Sequence, residues 1–168
     1  MHALELLLDP TADDAVRREW ALLQEAGLPS QADHRGESNA PHITVLATDE
    51  QPSGIAAVST LAAGALPLRV RLGSLVVFPG RRLVLARLVI VDEGLLGLHR
   101  AVLGAAGAAP SSLTTTQGWV PHVTLARGIP ADGLSAARSV IEDQPIDAVA
   151  TTLHHWDSQA RTATTLGG

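Results

Sequence analysis

The 168-residue chain has no cysteine, no tyrosine and no lysine. Without cysteine, neither disulfides nor thiolate metal sites enter the argument. Aromatic residues make up 2% of the chain (Phe78, Trp20, Trp119 and Trp156), so a 46% hydrophobic composition implies a core of leucine, valine, isoleucine and alanine. No apolar run reaches membrane-spanning length, and the first residues show no basic segment followed by an apolar run and a cleavage site. A soluble, cytoplasmic protein is therefore expected. Positive charge is also scarce, with 12 basic residues, all arginine, against 17 acidic ones and a net charge of −5. A general binder of long nucleic acid gains affinity from counterion release along a basic track, and this composition argues against one. A small or terminal phosphoester, held by a few local donors, remains compatible.

What the chain does have is a repeated stretch. Pro41-His42-Ile43-Thr44-Val45-Leu46-Ala47 returns as Pro121-His122-Val123-Thr124-Leu125-Ala126-Arg127, starting 80 residues later (121 − 41). Given 10 Pro and 7 His in the chain, a single match to Pro-His-apolar-Thr-apolar is expected roughly 0.007 times in a shuffled sequence, and two matches on the order of 10⁻⁵. Alternate residues of a strand share a face, so His42 and Thr44 point one way while Ile43 and Val45 point the other. His122 and Thr124 repeat the arrangement, with Val123 and Leu125 behind them. Proline suits the first position of a strand, where its missing N–H costs least. Two such strands brought together would gather two imidazoles and two hydroxyls in one small polar pocket.

On these residues the chain resembles the two-histidine (2H) phosphoesterases, which include the RNA 2',3'-cyclic phosphodiesterases also called 2'-5' RNA ligases. Their hallmark is a pair of His-x-Thr-x motifs about half a chain apart, here His42-Ile43-Thr44-Val45 and His122-Val123-Thr124-Leu125. The likeness extends to Ser74–Pro79, to the strand after Arg82 and to Arg127, and weakens beyond it. It implies two pseudo-symmetric lobes in which antiparallel sheets face a central cleft, with helices outside. Residues 1–168 would then form a single domain of two intimately packed lobes, expected to be a monomer.

Taken in order, the patterning agrees with an α+β chain carrying an internal repeat. His2 to Leu8 reads as a strand, followed by a helix capped at Thr11 or Asp13 and stopped by Gly27 and Pro29, with Val16, Trp20 and Leu23 inward. Ser30 to Ala40 is a polar loop carrying His34 and Arg35, both read as solvated or, alternatively, as substrate contacts. A short helix over Ile55 to Ala63 precedes a long strand from Leu66 to Val77, whose alternation breaks at Gly73-Ser74 and suggests a bulge. Pro79-Gly80 is a turn, with Arg81 and Arg82 read as solvated. A strand over Leu83 to Val91 leads to a helix over Asp92 to Ala106, with His99 at its polar boundary. The loop Ala109 to Gly118 holds three threonines. Trp119 enters the second motif and is read either as a base-stacking platform or as a packing residue. Pro130 to Asp143 reads as a helix and Ile146 to Trp156 as a strand. Its adjacent His154 and His155 face opposite ways and are read as structural. Arg161 to Gly168 reads as an edge strand before a frayed tail.

The chemistry follows from the residue types. Opening a cyclic phosphodiester requires water activated on one side of phosphorus and a leaving alkoxide protonated on the other. Two histidines can divide these roles because imidazole titrates near neutrality. Two threonine hydroxyls, Thr44 and Thr124, can donate to the non-bridging oxygens. Arg127 matches a phosphate-facing arginine of the family's RNA-acting branch, and its fork suits phosphate oxygens. As an odd number of positions from Thr124, however, it would point away from the pocket on an ideal strand, and reaches it only if the strand bends. A zinc site is disfavoured because neither motif carries Asp, Glu or Cys to complete a ligand set. No cofactor is expected. A hydrolase acting on an RNA end or a small nucleotide, a 2'-5' ligase or 2'-5' phosphodiesterase, and a non-catalytic phosphate-binding module all remain open.

Overall fold

A computed structural model describes residues 1–34, 36 and 39–168. Arg35, a sequence-level candidate for substrate contact, lies outside these residues. The order is β1 (His2–Leu8), α1 (Pro10–Glu25), β2 (His42–Thr48), α2 (Ile55–Ala65), β3 (Leu68–Phe78), β4 (Leu83–Ile90), α3 (Glu93–Ala105), β5 (His122–Ile129), α4 (Leu134–Val140), β6 (Ile146–Asp157) and β7 (Thr162–Gly167). Local chemistry explains the helix ends. Asp9, not Thr11 or Asp13, caps α1 by accepting from the amides of Thr11 (3.0 Å) and Ala12 (3.2 Å), with Pro10 in the first turn. Gly27, at φ +72°, ends that helix in the conformation glycine adopts most readily. Asp92 caps α3 through the Leu95 amide at 2.8 Å. The helix expected over Pro130 to Asp143 is shorter, a 3₁₀ turn at Ala131–Gly133 and then α4.

All strand pairings are antiparallel and form one continuous sheet in the order β2-β1-β6-β3-β4-β5, with β7 also on β6. The two facing sheets of the sequence-based expectation are the two arms of this sheet. Its seam is β6, which pairs with β3 over Ile146–Ala150 and with β1 and β7 further along. The terminal strands of the path, β2 and β5, pack against each other. The sheet therefore curls until its two motif strands meet.

The helices cross over. α1 follows β1 but packs on β5 and β6, whereas α3 follows β4 but packs on β2 and β3. Each motif strand thus rests on a helix from the other half of the chain. The backs of the motif strands, Ile43, Val45, Val123 and Leu125, are fully buried in this shared core. Behind the sheet, fully buried Arg87 of β4 forms an ion pair with Glu19 of α1 and donates to the carbonyls of Gly73 (3.0 Å), Gln144 (3.2 Å) and Glu142. Burying an unpaired guanidinium would be costly; here every side of the fork has an acceptor.

Candidate functional site

The two motifs have the same local geometry. Nδ1 of His42 lies 2.8 Å from the Ala40 carbonyl, and Nδ1 of His122 lies 2.7 Å from the Val120 carbonyl, in each case two residues back. A carbonyl can only accept, so each Nδ1 carries the hydrogen and each neutral ring presents a bare Nε2. Both imidazoles are only partly buried.

A bulge follows each threonine. β1 and β2 pair Glu5 with Thr44 but Leu4 with Leu46, leaving Val45 as an extra residue. β4 and β5 pair Ala86 with Thr124 but Leu85 with Ala126, leaving Leu125 as the extra one. Two consecutive side chains then point into the core, and all four (Val45, Leu46, Leu125 and Ala126) are completely buried. The bulge resets the alternation, so the third residue after each threonine returns to the threonine's face. In the first motif that residue is Ala47, and in the second it is Arg127. The ideal-strand expectation that Arg127 points away is thereby corrected.

Two tryptophans brace these bulges from behind. Trp20 of α1 donates its indole N–H to the Thr124 carbonyl at 3.1 Å, and Trp119 donates to the Thr44 carbonyl at 2.9 Å. Trp119 also stacks on buried His99, with centroids 3.8 Å apart and planes 5° from parallel. Of its two sequence readings, the packing role is the one the geometry displays. His99 is a core residue, not a boundary one, because Nε2 meets the Thr114 carbonyl at 3.0 Å. Thr114 is also inward, its hydroxyl bridging to the Ala47 backbone of β2.

The two halves of the cleft are not chemically equivalent. Across from Thr44 the cross-strand neighbours are Glu5 and His154, and Glu5 Oε1 reaches to 3.6 Å from His42 Nε2. A cavity of about 900 Å³ opens there, lined by Glu5, His34, Asn39, Trp156 and Arg161 as well as His42. Across from Thr124 the places of Glu5 and His154 are taken by Ala86 and Val76, and Phe78 packs on the His122 ring at 4.6 Å. Burial of His122 lowers its pKa below 6.5. The Val120 hydrogen bond opposes this shift, and the positive charges of Arg127 and His42 add to it. Burial likewise lowers the pKa of His154, against the opposing charge of Glu5.

Glu5 and His154 escape a reading of the sequence, although both leave a signal. Glu5 is the lone carboxylate in an apolar strand. Of two adjacent strand histidines, one must face the pocket side. His155 takes the other face, against His2. Among the described residues, no group of three His, Cys, Asp or Glu side chains is placed to hold a metal ion, and no helix is long and apolar enough to cross a membrane.

This architecture has known counterparts. Kluyveromyces marxianus Usb1 superposes with a TM-score of 0.55 at 14% identity, covering 99% of this chain and 97% of that one. Escherichia coli LigT, in its apo form, gives 0.54 at 15%, covering 98% and 92%. A structure described as a phosphoesterase gives 0.51 at 17%, again covering 98% and 92%. At such identities the likeness establishes the fold. No curated protein sequence matches the chain. The sequence family described as the 2'-5' RNA ligase superfamily matches residues 12–162. The chain belongs to that superfamily, whose members are 2H phosphoesterases.

Proposed function

We propose that the protein is a metal-independent phosphodiesterase that opens 2',3'-cyclic phosphates at RNA ends or on small nucleotides. The observation that carries this reading is the matched pair of imidazoles, each with Nδ1 tied to a backbone carbonyl and Nε2 left bare. His122, whose charged form is penalised by its surroundings, removes a proton from water as its oxygen attacks phosphorus. His42, with the Glu5 carboxylate beside Nε2, gives a proton to the departing ribose oxygen. The P–O bond to that oxygen breaks, leaving a phosphomonoester and a free hydroxyl. Thr44 and Thr124 donate to the non-bridging oxygens, where charge accumulates, and Arg127 adds a guanidinium from the same face.

The superfamily's description supports a second reading, 2'-5' ligation or cleavage. A terminal hydroxyl would then take the place of water as nucleophile, or of the ribose oxygen as leaving group. The test is turnover of a panel of 2',3'-cyclic mononucleotides and 2'-5'-linked dinucleotides, with and without excess chelator. Hydrolysis of the cyclic substrates, unaffected by chelator, is expected. Binding of the product phosphomonoester without turnover of any substrate would instead identify a phosphate-binding module.

A further inference from the structure

The internal repeat extends two strands beyond each motif and brings a matched pair of aromatic rings to the cleft face. On the His122 arm, Arg127 pairs with Val84, which pairs in turn with Phe78. On the His42 arm the same register runs from Ala47 to Ala3 to Trp156. Trp156 therefore stands where Phe78 stands, two residues along β6 from His154 and on the same face. The two rings are used differently. Phe78 closes onto its histidine, with centroids 4.6 Å apart. Among the described residues, no aromatic contact joins Trp156 to His42. Instead the two line one cavity of about 900 Å³, together with Glu5 and Arg161.

The other two tryptophans are occupied. Trp20 and Trp119 donate their indole N–H groups to the carbonyls of Thr124 and Thr44. The Trp119 ring stacks on His99, and the Arg17 guanidinium lies over the Trp20 ring at 5.4 Å. Trp156 is half-buried. Among the described residues, its ring has neither a stacked neighbour nor a cation over it. An indole that lines an open cavity without a partner offers a flat apolar surface, and any base can stack on one. The volume falls in the range of about 300–1,000 Å³ that encloses small organic ligands.

We infer that Trp156 is the platform on which the substrate's nucleobase stacks, so that the nucleoside lies on the His42 side of the scissile phosphate. Phe78, closed over His122, leaves that side to water. The inference rests on the proposed function for the reacting group and adds the orientation of the substrate to it. It agrees with His42 as the group that protonates the departing ribose oxygen, because the ribose must then lie beside His42.

Kinetics on adenosine 2',3'-cyclic phosphate and on a base-free counterpart, 1-O-methylribose 2',3'-cyclic phosphate, test the platform. In the wild type the ratio of the two kcat/KM values should favour the nucleotide. Trp156→Ala should lower that ratio about tenfold or more, through KM on the nucleotide. Trp156→Phe, which keeps a ring, should recover most of it. Equal losses on both substrates, or an alanine variant with the wild-type ratio, would overturn the platform. Because β6 is an inner strand, a second measurement uses only the milder Trp156→Phe variant. Adenosine 3'-monophosphate should quench the tryptophan fluorescence of the wild type, and most of that quench should vanish in Trp156→Phe. A quench that survives the substitution, or no quench in the wild type, overturns the platform. Absence of wild-type turnover on every cyclic phosphate would count against the proposed function instead, and the quench then decides the platform alone.

Discussion

The indole N–H of Trp119 donates to the carbonyl of Thr44 at 2.9 Å, across 75 residues of sequence. Trp20 does the same for Thr124 across 104 residues at 3.1 Å. Each bond ends on the threonine that opens a bulge, so each indole helps hold the following backbone in the shape that keeps histidine and threonine on one face. Phenylalanine at either position keeps the ring and deletes the donor. Trp20→Phe should cost about 1 kcal/mol of stability, with a further penalty for the carbonyl left without that partner in a buried setting. Because the threonine is no longer held, kcat should fall with little change in KM. A variant whose stability drops while kcat is untouched would show that the brace serves folding alone.

The threonine hydroxyls carry a sharper expectation. Thr44→Val and Thr124→Val keep the β-branched shape and remove one donor to the phosphate. By analogy with oxyanion-hole deletions, each should cost roughly 2–4 kcal/mol of transition-state stabilisation, measured as kcat/KM on a cyclic mononucleotide. Thermal midpoints should stay near wild type, and two valine variants with full turnover would remove the cradle from the mechanism.

The pairing of Arg87 with Glu19 is a matter of stability, not chemistry. Both side chains are buried and lie behind the sheet. Glu19→Ala leaves the guanidinium without its counter-charge in the core, a class of change that costs about 3–5 kcal/mol. Replacing both partners with apolar residues of similar volume should recover much of that stability. Denaturant unfolding of the two variants checks the sign of this difference.

The histidines outside the proposed reaction predict a stability trend. Burial lowers the pKa of His99, His154 and His155, as it does for His122. The unfolded chain therefore takes up protons near pH 6.5 that the native state refuses, and the native advantage, complete above that pH, shrinks as pH falls through it. Thermal midpoints should decline between pH 7 and about pH 5. His99→Phe, which keeps a ring stacked on Trp119, should flatten part of that slope. An unchanged slope would mean that His99 is not among the groups responsible.

How far the sequence can be read depends on whether a feature is local. The paired motifs, the strand alternation around them and the apolar stripe of α1 all lie within a few residues, and each appears in the fold. The bulges at Val45 and Leu125 do not follow from alternation, because an extra residue is defined only against the register of a partner strand. For that reason alternation alone puts Arg127 on the wrong face. Trp20 and Trp119 are legible as apolar bulk. Their acceptors, however, lie on strands brought close only by the crossing of α1 and α3.

The dependence of rate on pH tests the division of labour between His42 and His122. One imidazole must be neutral to accept a proton and the other charged to donate one, so activity requires the pair to be singly protonated. The rate should rise and then fall with pH, with two apparent pKa values belonging to the coupled pair. The base is assigned to His122, whose pKa is lowered by burial and by the charges of Arg127 and His42. The rising limb should therefore lie below pH 6.5, the ordinary imidazole value. Arg127→Gln removes one of the charges that disfavour a protonated His122, so the rising limb should move to higher pH while the falling limb stays nearly in place. Alanine at His42 or at His122 should each remove about 10²–10⁴-fold of the rate. The double variant should lose far less than the product of the two, since residues acting as a unit are not additive. If Arg127→Gln shifts the falling limb and leaves the rising one, His122 is the acid and the roles are reversed. If the profile of His122→Ala keeps both limbs, the two-histidine mechanism is wrong.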